Sequence, residues 1–375
     1  MKLWKKTTGA IKDQNTIFIA SLSSRRISIH NNIDIQALVI KSTSHNEYKI
    51  DYRNSHRIFR LIPQSPAKHL QTFTWALTIR MEKTRDWVVA LKGLILMHGV
   101  LCCRVPAVHK LGRLPFDLSS FNDGHLSGTK SWPYNTFIRS YFAFLDSKSD
   151  LFSSFVREEK KNKDVVSMEP KQHVKAMNLF RLHKLQILLD LLIQIKPESM
   201  EIVQILILEA MDSVIIEIFD VYSKICNGIA QLLPTIDVSN RNESLQTLKI
   251  LRKATQQGDK LSDYFEMCRK IGVMKASEQP VIPIIPIDEI RELERAINEE
   301  KAIVKMDENE RISESRSRND FYTIITDEWE VFDENLIGIE NGDENQLAIV
   351  EPWYDSCGSS CGRKCEELPD LISFL

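Results

Sequence analysis

The run at 87–103, WVVALKGLILMHGVLCC, is apolar nearly all round, with Lys92 near its middle. A helix with no polar face belongs at the centre of a bundle, where neighbours cover every side. Its length approaches that of a membrane span, but a lysine near the centre of a bilayer is costly. A second long apolar run, 202–233, is broken by Glu209, Asp212, Glu217, Asp220 and Lys224. Both are therefore expected as buried helices of a water-soluble fold. Pro106 limits the first and Pro234 the second.

The rest of the chain reads as helices arranged around that centre. Helical spacing is found at 2–20, 34–43, 54–61, 66–78 and 132–145, then at 174–195, 199–233, 242–261 with 262–271, and 290–304. Phe137, Ile138, Tyr141, Phe142 and Leu145 form an apolar stripe expected in the core. Residues 116–130 are rich in Ser, Gly, Asp and Asn and read as a loop. The two prolines within 281–287 favour extended backbone. No strand alternation survives scrutiny. With 13 Gly and 13 Pro in 375 residues, a turn-rich β fold is disfavoured. The expected class is all-α. Helical hairpins of about 35–45 residues have the length of solenoid units.

Charge divides the chain. Residues 1–60 carry eleven Lys/Arg against four Asp/Glu, whereas 307–375 carry five against eighteen. A basic front and an acidic back suit different partners. The basic cluster at 41–60 holds Lys41, Lys49, Arg53, Arg57 and Arg60, with His45 and His56. The seven cysteines are scattered without a paired framework, which suits a reducing compartment. The N-terminus lacks the apolar run of a signal peptide.

No cofactor, metal or enzymatic activity is expected. The sequence has no Gly-rich phosphate loop, no GxSxG and no HExxH. Cys357, Cys361 and Cys365 lack a nearby fourth ligand. Cys102, Cys103 and His98 read as core groups. Asp146 and Asp150, flanking Lys148, read as part of a solvated linker. A nucleic-acid partner is not expected, because the basic region lacks interleaved exposed aromatics and the chain as a whole is not basic.

Four segments carry a resemblance: KTTGAIKDQ near the start, LVIKSTSHNEY at 38–48, DWVVALKGLILMHGVL at 86–101 and FIRSYFAFLD at 137–146. In this order and at these separations they resemble the ANTH domain of clathrin assembly proteins, and the KDQ opening resembles its plant branch. The resemblance covers roughly residues 1–300. It implies a right-handed, solenoid-like helical superhelix over 1–146 and a longer helical bundle at 173–305; the polar, charged stretch 147–172 between them reads as a linker, and the acidic, poorly patterned 306–375 reads as a disordered tail.

It further implies a peripheral adaptor. Such a protein binds phosphoinositide-containing membrane, clathrin and adaptor-complex appendage domains, and loads cargo such as SNARE proteins. Its expected location is the cytoplasmic side of plasma-membrane coated pits, clathrin-coated vesicles and Golgi or endosomal membranes. A helical scaffold for cargo or fusion machinery with little lipid binding is the alternative.

The family's lipid pattern is a Lys, nine residues, then Lys, any residue, Lys or Arg, and His or Tyr. Laid on this chain from Lys41, it meets Asp51, Arg53 and Asn54. Lys41 and Arg53 match; Asp51 and Asn54 depart. A shifted register on His56 needs an insertion and puts Ser55 at the second basic position. Lys49 and Arg57 are expected to add attraction, at about 1 kcal/mol for each cation near an anionic leaflet. The expected lipid-binding residues are Lys41, Lys49, Arg53 and Arg57, in a degraded copy of the family site. In the tail, Trp329 and Phe332 resemble a WxxF appendage-binding peptide and Trp353 resembles the DPW type. Leu371 and Phe374 resemble the ends of a clathrin-box core. Motifs of this kind bind weakly alone and more effectively in multiples.

Overall fold

Why the 87–103 run lacks a polar face is clear from its surroundings. It forms the helix Trp87–Cys102, and every neighbour in the N-terminal half covers part of it. A computed structural model describes residues 30–164, 170–236 and 241–278, together with Arg291 and Arg295. All of these belong to the first of the two units into which the chain divides, Met1–Ser315. The described residues contain helices and no strand.

The helices are α1 (His30–Ser42), α2 (Tyr52–Gln64), α3 (Pro66–Lys83), α4 (Trp87–Cys102), α5 (Gly128–Asp164), α6 (Pro170–Ile193), α7 (Ile205–Leu232) and α8 (Arg241–Ile271). Helix α1 packs on α2 and α3, and all three touch α4. Helix α4 then meets α5 and α7, while α6 lies against α5, α7 and α8. The core runs continuously from Ile35 and Val39 through Leu91, Leu94 and Met97 to Val214, Ile218 and Phe265. No described helix is long and apolar enough to cross a membrane.

Caps set the helix starts. Asp86 accepts from the Val88 amide at 2.9 Å and opens α4. Pro66 occupies the first turn of α3, where its missing N–H costs nothing. Pro63 does not stop α2 early. It sits next to last in that helix, where the lost hydrogen bond is near the end in any case.

The stretch expected as a polar linker at 147–172 is largely helical. Helix α5 continues to Asp164, and α6 begins at Pro170. Its polar composition misled the sequence reading because part of it faces inward: Lys148, Ser149 and Ser153 are buried, as is Leu151. Asp146 is likewise not a solvated linker residue. It accepts from Arg113 Nη1 and from the Leu114 amide, both at 2.9 Å, and so anchors the loop ahead of α5. That loop is ordered by buried Asp123, which accepts from the amides of Trp87, His125 and Leu126. The segments 242–261 and 262–271 join into the single helix α8. The expected helix at 2–20, the extended 281–287 and the tail from 306 lie outside the described residues. Of 290–304, Arg291 and Arg295 are described, and both are helical.

Candidate functional site

The basic cluster is built where α1 hands over to α2. Lys41 lies in the last turn of α1 and is exposed. The connecting loop is held from below by three side chains on other helices. Arg80 donates to Thr43 Oγ1 at 3.2 Å and to its carbonyl at 2.9 Å. The Lys92 ammonium donates to the carbonyls of Ser44 at 3.1 Å and Asn46 at 2.6 Å, and to Ser44 Oγ at 3.3 Å. His45 Nδ1 lies 2.6 Å from Asp86 Oδ2.

These bonds explain the lone lysine in the apolar run. Lys92 is 2% exposed, and its ammonium supplies hydrogen-bond donors to the backbone carbonyls of Ser44 and Asn46. Burial pushes its pKa down to about 8, with Asp51 and Asp86 pulling the other way. Burial also raises the Asp86 carboxyl, but the His45 and Val88 hydrogen bonds more than offset this and hold it low. With its inner edge fixed, the loop presents Tyr48, 70% exposed, and Lys49 on the outside, and then buries Ile50.

The two departures from the family's lipid pattern have a structural cause. Asp51 is the N-cap of α2: its carboxylate accepts from the Asn54 amide at 3.1 Å and from Asn54 Nδ2 at 2.5 Å. A lysine at 51 could not accept these bonds. The carboxylate also faces the positive end of the helix dipole, which offsets part of its charge. Arg53 and Arg57 project outward from α2 and are exposed, as is Arg60. Ser55 is buried and donates to the Asp51 carbonyl. The shifted register would put its second basic position at that buried residue.

On the inner side of α2, Ile58 and Ile62 are fully buried, and Phe59 lies over Gly99 of α4. A Cβ at Gly99 would overlap the Phe59 ring, so the missing side chain sets how closely α2 approaches α4. The Tyr52 hydroxyl also donates to Glu209 of α7. Lys41, Lys49, Arg53 and Arg57 are thus all exposed, on the end of α1, the pinned loop and the first half of α2. The sequence reading did not foresee Tyr48, the cap at Asp51 or the clamp at Lys92. The only signal for the last was a charge in an otherwise apolar helix. Trp329, Phe332, Trp353, Leu371 and Phe374 lie outside the described residues, as do Cys357, Cys361 and Cys365.

A second polar cluster lies deep between α4, α5 and α7. The Lys148 ammonium is 2.6 Å from Glu217 Oε2, with side-chain exposures of 3% and 7%. His98 Nε2 lies 3.3 Å from the same oxygen, and His98 Nδ1 lies 2.8 Å from the Tyr141 hydroxyl. With Nε2 protonated, His98 donates to the carboxylate, and Nδ1 accepts from tyrosine. Lys148 also reaches Cys102 Sγ at 3.7 Å.

Burial disfavours the charge on Glu217, but Lys148 and His98 prevail and hold its carboxyl far below the usual range. Burial likewise opposes the Lys148 charge, which Cys102 and Glu217 restore and strengthen. The Cys102 thiol is lowered by Lys148 and His98 against burial. The ligand atoms of His98, Cys102 and Glu217 lie within 4.8 Å of one another, a grouping that could hold a metal ion. The Lys148 ammonium already supplies the positive charge there, so the cluster reads as a closed ion network joining three helices.

Residues 34–299 match the family model for the ANTH domain. One relative is a candidate clathrin assembly protein of Arabidopsis thaliana, 40% identical over 395 residues, covering 100% of both chains. A second candidate clathrin assembly protein from the same plant is 40% identical over 342 residues, 89% of each chain. The clathrin coat assembly protein AP180 of Arabidopsis thaliana is 25% identical over 329 residues, 80% of this chain and 50% of that one. Among solved structures, the ENTH domain of epsin-2 in complex with phosphatidylinositol 4,5-bisphosphate is similar at TM-score 0.46 and 17% identity, covering 68% of this chain and 97% of that one. From the family match over most of its length and the full-length relatives, this chain belongs to the ANTH domain family.

Proposed function

We propose that this protein is a peripheral adaptor of clathrin-coated carriers. Its helical domain binds anionic, phosphoinositide-containing membrane through Lys41, Lys49, Arg53 and Arg57. Its acidic tail engages clathrin through Leu371 and Phe374, and adaptor-complex appendage domains through Trp329, Phe332 and Trp353. The function is simultaneous binding of lipid and coat, with SNARE-type cargo as a further partner. Its sites of action are the plasma membrane, coated vesicles and Golgi or endosomal membranes.

The observation that carries this reading is the exposure of all four cations around a loop clamped by Arg80, Lys92 and Asp86. Fixed cations attract a phosphate surface without first losing the entropy of an unordered loop. Arginine suits bidentate phosphate contact and lysine suits point-charge contact. Supporting it for the coat side, full-length relatives are named as candidate clathrin assembly proteins.

Co-sedimentation of the full chain with liposomes tests the lipid half. Binding is expected to vesicles containing phosphatidylinositol 4,5-bisphosphate, weaker binding to neutral vesicles, and a loss in Lys41→Glu/Arg53→Glu. Equal binding to charged and neutral vesicles would overturn it. Tail peptides spanning 325–336, 349–356 and 368–375 test the coat half against clathrin terminal and adaptor appendage domains. Binding by none of the peptides would leave the chain as a membrane-bound scaffold without that role.

A further inference from the structure

We infer that the outer face of α2 is itself a membrane-contacting surface: a straight row of cations, Arg53, Arg57 and Arg60 with His56 beside them, that meets several lipid phosphates rather than enclosing one headgroup. This rests on the membrane reading above and specifies how the surface recognises lipid.

Successive residues of an α-helix are offset by about 100°. Taking Arg53 as the origin, His56, Arg57 and Arg60 fall within an arc of about 100° around it. All four are exposed. Ser55, Ile58 and Ile62 occupy the opposite side and are buried, and Phe59 is seated over Gly99. The helix therefore cannot rotate its cations away from solvent. At 1.5 Å rise per residue, Arg53 to Arg60 spans about 10 Å. Beyond Arg60, the exposed Pro63 and Gln64 end the row without charge.

Along the helix itself the sign is uniform. Helix α2 contains no acidic residue, and the carboxylate just ahead of it, Asp51, is held by the Asn54 amide and side chain. A pocket selective for one polyphosphate headgroup needs cations converging on a point. At the α2 N-terminus, two positions that would supply such convergence hold Asp51 and Asn54, and these bond to each other. The remaining cations lie along an axis. Along that axis each guanidinium can fork a separate phosphate. A surface of this kind responds to the charge density of a leaflet more than to headgroup identity.

The test uses the full chain and two sets of phosphatidylcholine vesicles matched in total negative charge. One carries phosphatidylserine and the other phosphatidylinositol 4,5-bisphosphate. The wild type is expected to bind both sets within about threefold. Each cation removed from such a surface weakens binding about fivefold. Arg57→Gln/Arg60→Gln should therefore lose about 25-fold on both sets, with an unchanged circular dichroism spectrum because both side chains are exposed. Unchanged binding by this variant would overturn the row, as would a wild-type preference above about tenfold for the phosphoinositide at matched charge. Either result leaves the membrane reading standing. A wild type that binds neither charged set overturns both.

Discussion

Replacing Lys148 with methionine puts the ion network between α4, α5 and α7 to a quantitative test. Methionine keeps much of the stem volume but removes the ammonium. Glu217, 7% exposed, would then retain His98 Nε2 at 3.3 Å as its remaining side-chain partner in this cluster. Leaving a buried carboxylate without its main counterion costs about 3–5 kcal/mol. Removing both charges behaves differently. Two apolar groups of similar volume restore a consistent interior, and such replacements are often neutral. Lys148→Met and Glu217→Met should each destabilise by several kcal/mol, and the double variant by less than either. The coupling expected from this cycle is about 3 kcal/mol or more.

Urea denaturation of the full chain followed by far-ultraviolet circular dichroism measures these differences, with the three variants compared at constant pH. A pH series adds a second readout. The pKa of His98 is already raised, by Cys102 and Glu217 acting against burial. Without Lys148, the imidazolium becomes the carboxylate's main counterion. Its stabilising effect is present below the ordinary histidine value and lost as pH rises through the folded-state value. Lys148→Met should therefore be less damaging at pH 5.5 than at pH 8. Additive single effects, or a Lys148→Met cost below about 1 kcal/mol, would refute the reasoning.

Asp51→Asn keeps a good N-cap while removing a charge. Stability should stay within about 0.5 kcal/mol, and affinity for anionic vesicles should rise about fivefold in co-sedimentation. Asp51→Ala should instead lose about 1 kcal/mol in a denaturant melt. Gly99→Ala drives a methyl group into the Phe59 ring and should cost about 1–3 kcal/mol, read as a lower thermal midpoint. For Lys92, the folded-state pKa of about 8 lies below the ordinary value of 10.5, so the unfolded chain holds more protons between them. Wild-type stability should rise with pH across that window relative to Lys92→Met. The same variant should speed amide exchange at 44–49, and unchanged exchange there would show that the clamp is dispensable.

The helical class was readable because it depends on local periodicity. The apolar run at 87–103 has no face to give to water, and it became the helix that others cover. The aromatic stripe from Phe137 to Leu145 also followed its spacing into the core. The stretch at 147–164 was misread for a related reason. A polar composition resembles a linker until the fold supplies a buried partner, and Glu217 lies 69 residues from Lys148. Sequence distance of this kind hides ion networks.

The candidate site shows the same division. Residue types alone determined that positive charge gathers at 41–60; the expectation that Asp51 and Asn54 depart from a lipid pattern came from the resemblance. Tertiary structure decided what those departures are for. Asp51 caps α2 and Asn54 holds it there. Lys92, Arg80 and Asp86 reach the connecting loop from helices more than 35 residues on, so no local pattern could announce them. Charge and periodicity are properties of neighbouring residues and survive in a linear reading. Which charge is spent inside the fold and which is left facing outward is settled only when distant helices pack.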